Sequence, residues 1–310
     1  MKLQAAGTKA NKPRRYAALW LMMLPGILYL LINNYLPMFG VVIAFKDFNY
    51  AKGILGSDWV GFKNFEYLFK TSDALLITRN TLLYNAVFIC LNLIVPVGVA
   101  ILLNEVQKKW LSRFYQSAVL LPYLISMVIV GYLVYSLLGT DTGFVGKTIL
   151  PLLGLPDIAW YSEAQYWPYI LATVHIWSSA GYLSVVYLAS IVGIDPEYYE
   201  AATIDGAGKW QQIRSITVPL LVPVITIMTL LQIGRIFYSD FGLFYQVPLN
   251  AGALQSTTNV IDTYVYRALL TIGDVGMSSA AGVYQSVVGF VLVLLSNAVV
   301  RKINKDNALY

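Results

Sequence analysis

Residues Glu197–Pro219 read EYYEAATIDGAGKWQQIRSITVP, a polar segment between two long apolar stretches. Ala201 and Ala202 are strong helix formers. Gly206 and Gly208 supply the backbone freedom that ends one helix and begins another. The segment therefore predicts two short helices around a glycine turn, with small side chains that leave a closely approachable surface.

The composition indicates a membrane protein. The chain is 58% hydrophobic and 12% charged, with a mean hydropathy of +0.64, whereas soluble domains carry about 25% charged residues. Long apolar runs between short polar loops favour an all-α membrane protein, because each spanning helix needs about 20 residues. We predict six transmembrane helices, at residues 17–44, 79–103, 114–138, 167–193, 218–246 and 280–300.

The reactive side chains argue against a membrane enzyme. The chain has one histidine and no cluster of carboxylates, which leaves little for acid–base or metal chemistry. Its single cysteine, Cys90, lies inside a predicted span, so the sequence excludes an intramolecular disulfide and a paired-cysteine metal motif. We therefore expect no catalytic residues, no metal site and no cofactor bound by this chain.

The polar segment resembles the EAA loop of binding-protein-dependent ABC importer permeases. Glu200-Ala201-Ala202 is followed by Asp205-Gly206-Ala207 and, ten residues after Gly206, by Ile216-Thr217-Val218-Pro219. The resemblance implies the ABC importer permease fold, with residues 195–219 as its cytoplasmic coupling loop. It also implies contact with an ATPase subunit for Glu200, Ala201, Ala202, Asp205, Gly206, Ala207, Ile216 and Pro219.

A second resemblance concerns the solute. The segments Phe45–Asn49 and Trp59–Phe65 are similar to the first external loop of carbohydrate permeases, particularly the LplB-like oligosaccharide branch. The resemblance implies one pore subunit of a heteromeric carbohydrate importer in a bacterial plasma membrane. Its implied partners are a sibling permease, two ATPase subunits and an extracellular or periplasmic sugar-binding protein.

ATP and Mg²⁺ are expected in the partner ATPases, because this chain has no Gly-x-x-x-x-Gly-Lys-Ser/Thr phosphate-binding loop. Two other transporters stay open as alternatives, an ABC permease for a non-sugar solute and a secondary transporter. A secondary transporter would more often show two related hydrophobic halves with broken helices at corresponding positions. The sequence shows no such halves.

The basic residues predict the orientation. With six spans, both termini and the coupling loop share one side, and the positive-inside rule makes that side cytoplasmic. That side carries thirteen of the 21 Lys and Arg residues, namely Lys2, Lys9, Lys12, Arg14, Arg15, Lys108, Lys109, Arg113, Lys209, Arg214, Arg301, Lys302 and Lys305. The net charge of +5 therefore reflects topology and requires no nucleic acid. We predict cytoplasmic tails at 1–16 and 303–310 and a transmembrane permease domain at 17–302.

The fifth predicted span carries a charge. On a continuous helix, Gln232, Arg235 and Ser239 share a face, and Arg235 lies about 24 Å beyond Pro219. A charge at that depth costs several kcal/mol unless it is paired or hydrated. Asp240 or an acceptor on another helix is the expected partner.

Two interpretations of this region remain open. In one, a hydrated cavity binds sugar through Arg235, Tyr238, Asp240, Phe241 and Tyr245. In the other, Arg235 ties two helices together and the aromatic residues form an interfacial belt.

The fourth and second spans carry further polar side chains. His175, Ser178, Ser179 and Tyr182 recur at i, i+3, i+4 and i+7, which predicts a polar stripe that must face protein or water. We expect His175 to make a hydrogen-bonded helix contact, since no second ligand accompanies it. Asn92 either links neighbouring helices or lines the substrate path. The candidate pathway therefore also includes His175, Ser179, Tyr182 and Asn92.

Overall fold

The computed structural model describes residues 12–303, and the helices within this range form one bundle. Its principal helices are α1 (Lys12–Leu30), α2 (Lys63–Lys70), α3 (Asp73–Asn104), α4 (Lys109–Leu120), α5 (Met127–Leu138), α6 (Trp167–Val192), α7 (Glu197–Ile204), α8 (Lys209–Gln212), α9 (Val218–Ile233), α10 (Phe241–Gln246), α11 (Ile261–Arg267) and α12 (Val275–Ile303). Shorter helical turns occupy Leu31–Tyr35, Leu36–Met38, Phe39–Phe45, Gly53–Gly56, Leu121–Leu124, Val145–Ile149, Leu150–Leu152, Ala164–Tyr166, Ile213–Thr217, Gly252–Leu254, Gln255–Thr258 and Ala268–Ile272.

A small hairpin follows the first span. Strand β1 (Lys46–Asp47) pairs antiparallel with β2 (Asp58–Trp59), with Lys46 opposite Trp59. The predicted tails at 1–16 and 303–310 lie outside the described residues, except that α1 already begins at Lys12 and α12 ends at Ile303.

Five stretches within residues 12–303 are long and apolar enough to cross a membrane, and a bent helix pair supplies a sixth. The five are Leu19–Phe45, Asp73–Asn104, Ala164–Val192, Lys209–Ile233 and Val275–Ala298. The predicted helical membrane protein is therefore confirmed. The count of six spans holds if the bent pair crosses as one span.

The third predicted span is not one straight helix. Residues Lys109–Leu124 and Met127–Leu138 meet at 95°. Pro122 lies in a tight turn, and both Ile125 and the capping residue Ser126 have extended backbones, so the helical hydrogen-bond pattern stops there. The single helix predicted at 114–138 was therefore wrong in shape.

The fifth predicted span also differs from its prediction. Helix α9 ends at Ile233, and the chain passes through turns before α10 begins at Phe241. The helical face predicted for Gln232, Arg235 and Ser239 was therefore wrong, because only Gln232 lies on the helix. We call residues 234–240 the break.

Helices α3 and α6 form the centre of the bundle, and Phe88 of α3 stacks on His175 of α6 with ring centroids 3.8 Å apart. Gly181 permits a second close approach on α6, since a Cβ built there would lie 1.9 Å from the Val119 carbonyl oxygen. Buried apolar side chains fill three clusters between α3 and its neighbours. The first span contributes little to them, because only 6% of its apolar window is buried.

Candidate functional site

The segment 195–219 folds as two short helices joined by a glycine turn, as the sequence predicts. Helix α7 ends at Ile204, and Gly206 has a φ of +80°, a conformation that favours glycine. The Asp195 carboxylate accepts a hydrogen bond from the backbone N–H of Glu197 at 3.0 Å, which caps the start of α7. The turn is therefore built into the sequence.

Two side-chain hydrogen bonds brace this segment internally. The buried Gln212 amide donates to the Thr203 hydroxyl at 2.9 Å and to the Ala207 carbonyl oxygen at 3.3 Å, which joins α8 to α7. The Tyr199 and Thr217 hydroxyls lie 2.9 Å apart and join α7 to the start of α9. The two short helices and the long helix that follows are therefore linked as one unit.

Most of the predicted coupling residues surround one concave surface of about 390 Å³ on this unit. Its lining residues are Ala202, Asp205, Gly206, Ala207, Gln211, Gln212, Ser215 and Ile216. Glu200 and Ala201 lie exposed on α7, and Pro219 lies near the start of α9, all outside this concavity.

Large apolar side chains beside the concavity face solvent. Ile204 is 86% exposed and Trp210 is 73% exposed. Such an exposed apolar surface is typical of a protein contact. One ion pair connects the segment to the bundle, because Lys209 Nζ lies 3.3 Å from Glu105 Oε2 at the end of α3. Both partners are exposed, so this pair adds little stability.

The break lies at the opposite end of α9, and its backbone polar groups are bonded by side chains from other helices. The Asn85 amide on α3 donates to the carbonyl oxygens of Ile236 at 2.9 Å and Tyr238 at 3.2 Å. The Gln285 amide on α12 donates to the Phe237 carbonyl oxygen at 2.9 Å. These bonds satisfy carbonyl groups that the helical hydrogen-bond pattern of α9 no longer reaches.

A carboxylate completes this arrangement. The Ser239 backbone N–H donates to Asp262 Oδ2 at 2.7 Å, and Gln285 donates to Asp262 Oδ1 at 3.1 Å. Asp262 was not among the residues predicted for this region. The signal available was an acidic residue within the apolar stretch that follows Asn259.

Arg235 extends from the break with an exposed side chain. Within residues 12–303 its guanidinium has no hydrogen bond or ion pair. The expected partner Asp240 instead caps α10, because its Oδ1 accepts the Leu243 backbone N–H at 3.1 Å. Tyr238 is 45% exposed beside Arg235. Neither partner expected for Arg235 is therefore present among the described residues.

Phe241 and Tyr245 stack on each other along α10, with ring centroids 5.0 Å apart. Tyr266 of α11 contacts both rings, at 4.7 Å from Phe241 and 4.9 Å from Tyr245. The sequence reasoning missed Tyr266, because no local pattern connects it with α10. We call these three residues the aromatic cluster.

The polar residues of the second and fourth spans separate into two groups. Asn92 is buried, donates to Gln232 Oε1 at 2.8 Å and accepts from the Ser179 hydroxyl at 3.1 Å. It therefore links three helices. Tyr182 is half-exposed and stacks on Tyr123 at the bend of the third span.

His175 does not make the hydrogen-bonded contact that we expected. Its ring stacks on Phe88, and its buried Nε2 has no hydrogen-bond partner within residues 12–303. The predicted stripe is therefore divided, since Ser179 joins a polar network while His175 packs in the core. No group of three or more His, Cys, Asp or Glu side chains that could hold a metal ion lies in the described part of the chain.

Residues 92–305 match the protein family described as the binding-protein-dependent transport system inner membrane component. This range contains α4–α12, and with them segment 195–219 and the break. The chain belongs to this family. Membership confirms the predicted family and makes the chain a multi-pass permease rather than an enzyme.

Two relatives from Bacillus subtilis (strain 168) resemble this permease over nearly its whole length. The polygalacturonan/rhamnogalacturonan transport system permease protein YteP is 38% identical over 93% of this chain and 89% of its own. Protein LplB is 35% identical over 93% of this chain and 90% of its own. The predicted LplB-like branch is therefore confirmed.

A solved structure shares the permease fold. In the crystal structure of a bacterial alginate ABC transporter in complex with an alginate pentasaccharide-bound periplasmic protein, one chain superposes with a TM-score of 0.85. It is 33% identical to this permease, and the match covers 95% of this chain and 97% of that one.

Proposed function

We propose that this permease forms half of the transmembrane pore of a bacterial ABC importer for an acidic oligosaccharide. Its similarity to permeases named for polygalacturonan, rhamnogalacturonan and alginate transport supports a uronate-containing chain as solute. The observation that carries the proposal is the break, which presents the unpaired charge of Arg235 and the exposed ring of Tyr238 directly after the span that ends at Ile233. An unpaired guanidinium suits a sugar carboxylate, because it can donate two parallel hydrogen bonds to it.

The assembly that we propose has four kinds of subunit. A sibling permease completes the pore, two ATPase subunits bind and hydrolyse ATP with Mg²⁺, and a sugar-binding protein delivers the oligosaccharide from outside the plasma membrane. Both termini and segment 195–219 face the cytoplasm in this proposal, in accord with the distribution of Lys and Arg.

The segment 195–219 couples the ATPases to the pore in this proposal. Its concave surface and its exposed apolar rim at Ile204 and Trp210 suit a protein partner. The internal hydrogen bonds of Gln212 and Tyr199 allow it to move as one body. Closure of the ATPases on ATP then shifts α9, and alternating access follows from the higher affinity of ATP for the closed state.

In the pore, Arg235, Tyr238, Phe241 and Tyr245 contact the sugar. Asp240 and Asn92 hold the backbone and the helices that carry these side chains. Ser179 supports Asn92, whereas Tyr182 lies exposed nearer the coupling segment along α6. His175 contributes a packed ring and no contact with the solute.

Reconstitution tests the function. The permease is placed in liposomes with its sibling, the ATPases and the binding protein, and uptake of labelled trigalacturonate is measured with and without ATP. We expect uptake only with ATP and all four kinds of subunit, and an ATPase variant that cannot hydrolyse ATP is the control. Uptake by the purified single chain indicates a secondary transporter, and ATP-driven uptake of a non-sugar solute alone indicates a different solute class.

A further inference from the structure

The three rings of the aromatic cluster, Phe241, Tyr245 and Tyr266, pack against one another. Each ring contacts the other two, with centroid separations of 4.7–5.0 Å. All three side chains are half-buried, so each ring keeps an accessible part. Rings held by one another in this way present a rigid apolar surface.

The packing of α10 turns this surface away from the protein core. Leu243 lies on the opposite face of the helix, and both Leu243 and Phe244 are fully buried. Phe241 and Tyr245 are four residues apart and therefore share the remaining face. Asp240 caps the helix, so the orientation of both rings is held from its first turn.

Helix α11 is attached to the break and supplies the third ring. Asp262 accepts the Ser239 N–H, and Tyr266 follows one turn later on the same face. The aromatic cluster is therefore continuous with the break that carries Arg235 and Tyr238.

The two hydroxyl groups of the aromatic cluster are available for hydrogen bonding. Within residues 12–303, neither the Tyr245 nor the Tyr266 hydroxyl has a hydrogen-bond partner, and neither hydroxyl oxygen is fully buried. Tyr161 and Tyr264 differ, because their hydroxyls donate to the Val247 carbonyl oxygen and to Met277 Sδ. Two donors at the edge of an aromatic surface are therefore available to a ligand.

The aromatic cluster carries no free charge. The neighbouring Arg267 guanidinium is engaged by Asn250, Asn259 and Thr263. A ligand here is therefore selected by an apolar face and by hydroxyl groups. A pyranose ring has both, with C–H groups on its faces and hydroxyls at its edge.

We propose that the aromatic cluster binds one pyranose ring of the translocated chain, with Tyr266 as a sugar-contacting residue. The ring stacks on the aromatic surface, and its hydroxyls bond the Tyr245 and Tyr266 hydroxyls. This proposal rests on the proposed import of an oligosaccharide. Two sites then recognise each sugar unit, because the aromatic cluster binds its ring and Arg235 binds its carboxylate.

The test compares two solutes that differ only in charge, trigalacturonate and its carboxyl-reduced galactose counterpart. Half-saturation of ATP-driven uptake is measured for the reconstituted complex with Tyr266→Leu, Tyr266→Phe and the control Tyr169→Leu, an exposed tyrosine outside the aromatic cluster. We expect Tyr266→Leu to raise the half-saturation concentration about 3- to 10-fold for both solutes, the range that one aromatic contact supplies. Tyr266→Phe keeps the ring and has a smaller effect, and Tyr169→Leu has none.

Three results overturn the proposal. The first is a half-saturation concentration for Tyr266→Leu that equals the wild-type value. The second is an increase in the half-saturation concentration for the acidic solute alone. The third is a monodisperse Tyr266→Leu chain that no longer copurifies with the sibling, which assigns the rings to a subunit interface. If Tyr266→Leu does not fold, Tyr245→Leu is measured in the same way. A wild-type complex that imports neither sugar overturns the proposed function instead.

Discussion

Gln285 Nε2 donates a hydrogen bond to the Phe237 carbonyl oxygen at 2.9 Å, and this bond attaches the last span to the break. Both residues are buried, so no bulk water replaces the donor if it is lost. The same amide contacts Asp262, which in turn accepts the Ser239 N–H. One side chain therefore stabilises two parts of an irregular backbone.

Replacement of Gln285 is expected to destabilise the permease. Gln285→Leu leaves the Phe237 carbonyl oxygen unsatisfied, which costs about 1–3 kcal/mol. The thermal midpoint of the purified complex should fall, and uptake should fall with it. Ser286→Ala is the matched control, because Ser286 is exposed on the same helix and, in the described part of the chain, its hydroxyl bonds only the Gly282 carbonyl oxygen. An unchanged midpoint for Gln285→Leu would contradict the bracing role.

The glycine turn of segment 195–219 should be required for ATP-coupled uptake. Gly206→Pro is incompatible with a φ of +80° and removes the N–H that donates to the Thr203 carbonyl oxygen at 3.0 Å. We expect loss of ATP-coupled uptake, measured in liposomes. Gly208→Ala should behave as wild type, because Gly208 has a φ of −71° and an added Cβ would meet only Gln211 Oε1, at an ordinary contact distance of 3.9 Å. Equal uptake by the two variants would show that the turn transmits nothing.

Loss of the Tyr199–Thr217 bond is expected to weaken the coupling of ATP hydrolysis to uptake without unfolding the permease. Tyr199→Phe removes a hydroxyl contact of 2.9 Å and should cost about 1 kcal/mol. We expect fewer sugars imported per ATP hydrolysed, measured as the ratio of uptake to ATPase rate. Tyr198→Phe serves as the control, since Tyr198 is exposed on the same helix. The same ratio in both variants would exclude this bond from coupling.

Arg235 should discriminate charged sugars from neutral ones. Arg235→Gln removes the guanidinium, and a lost charge-assisted hydrogen bond costs about 1.5–3 kcal/mol, or roughly 10- to 150-fold in affinity. We expect this increase in half-saturation for trigalacturonate and a small change for the carboxyl-reduced solute. A loss of assembly with sibling and ATPases would instead support the helix-tether interpretation.

The close contact at Gly181 predicts a stability effect. Gly181→Ala would bring a methyl group to 1.9 Å from the Val119 carbonyl oxygen, so α4 and α6 must separate. Overpacking of this kind costs about 1–3 kcal/mol or more, and a lower thermal midpoint should report it. Gly282→Ala meets nothing within 4 Å and should leave the midpoint unchanged or higher. A neutral Gly181→Ala would contradict the packing of these helices.

The features that sequence reasoning predicted correctly depend on local patterns. Gly206 forms the glycine turn that was predicted between two short helices, and the ends of α6 agree with the predicted fourth span within one residue. Hydrophobic length and turn chemistry act over about 20 residues, so a window of that size detects them.

The features that could not be predicted from the sequence depend on residues that are distant along the chain. The end of α9 at Ile233 has one local signal, the C-cap Gly234, but the irregular backbone that follows depends on Asn85 and Gln285, which satisfy its carbonyl groups from other helices. Tyr266 joins α10 only after the chain has turned back. A helix-period interpretation of Arg235 was therefore reasonable locally and wrong in three dimensions.

The bonds to the break connect amide side chains to the main chain. Asn85 and Gln285 contact carbonyl oxygens of Ile236, Phe237 and Tyr238, which every amino acid carries. Exposed side chains along this stretch can therefore be exchanged during evolution without altering its scaffold. This separation lets one architecture acquire new solute preferences through single substitutions, and it makes the exposed position 238 a natural starting point for directed changes of selectivity.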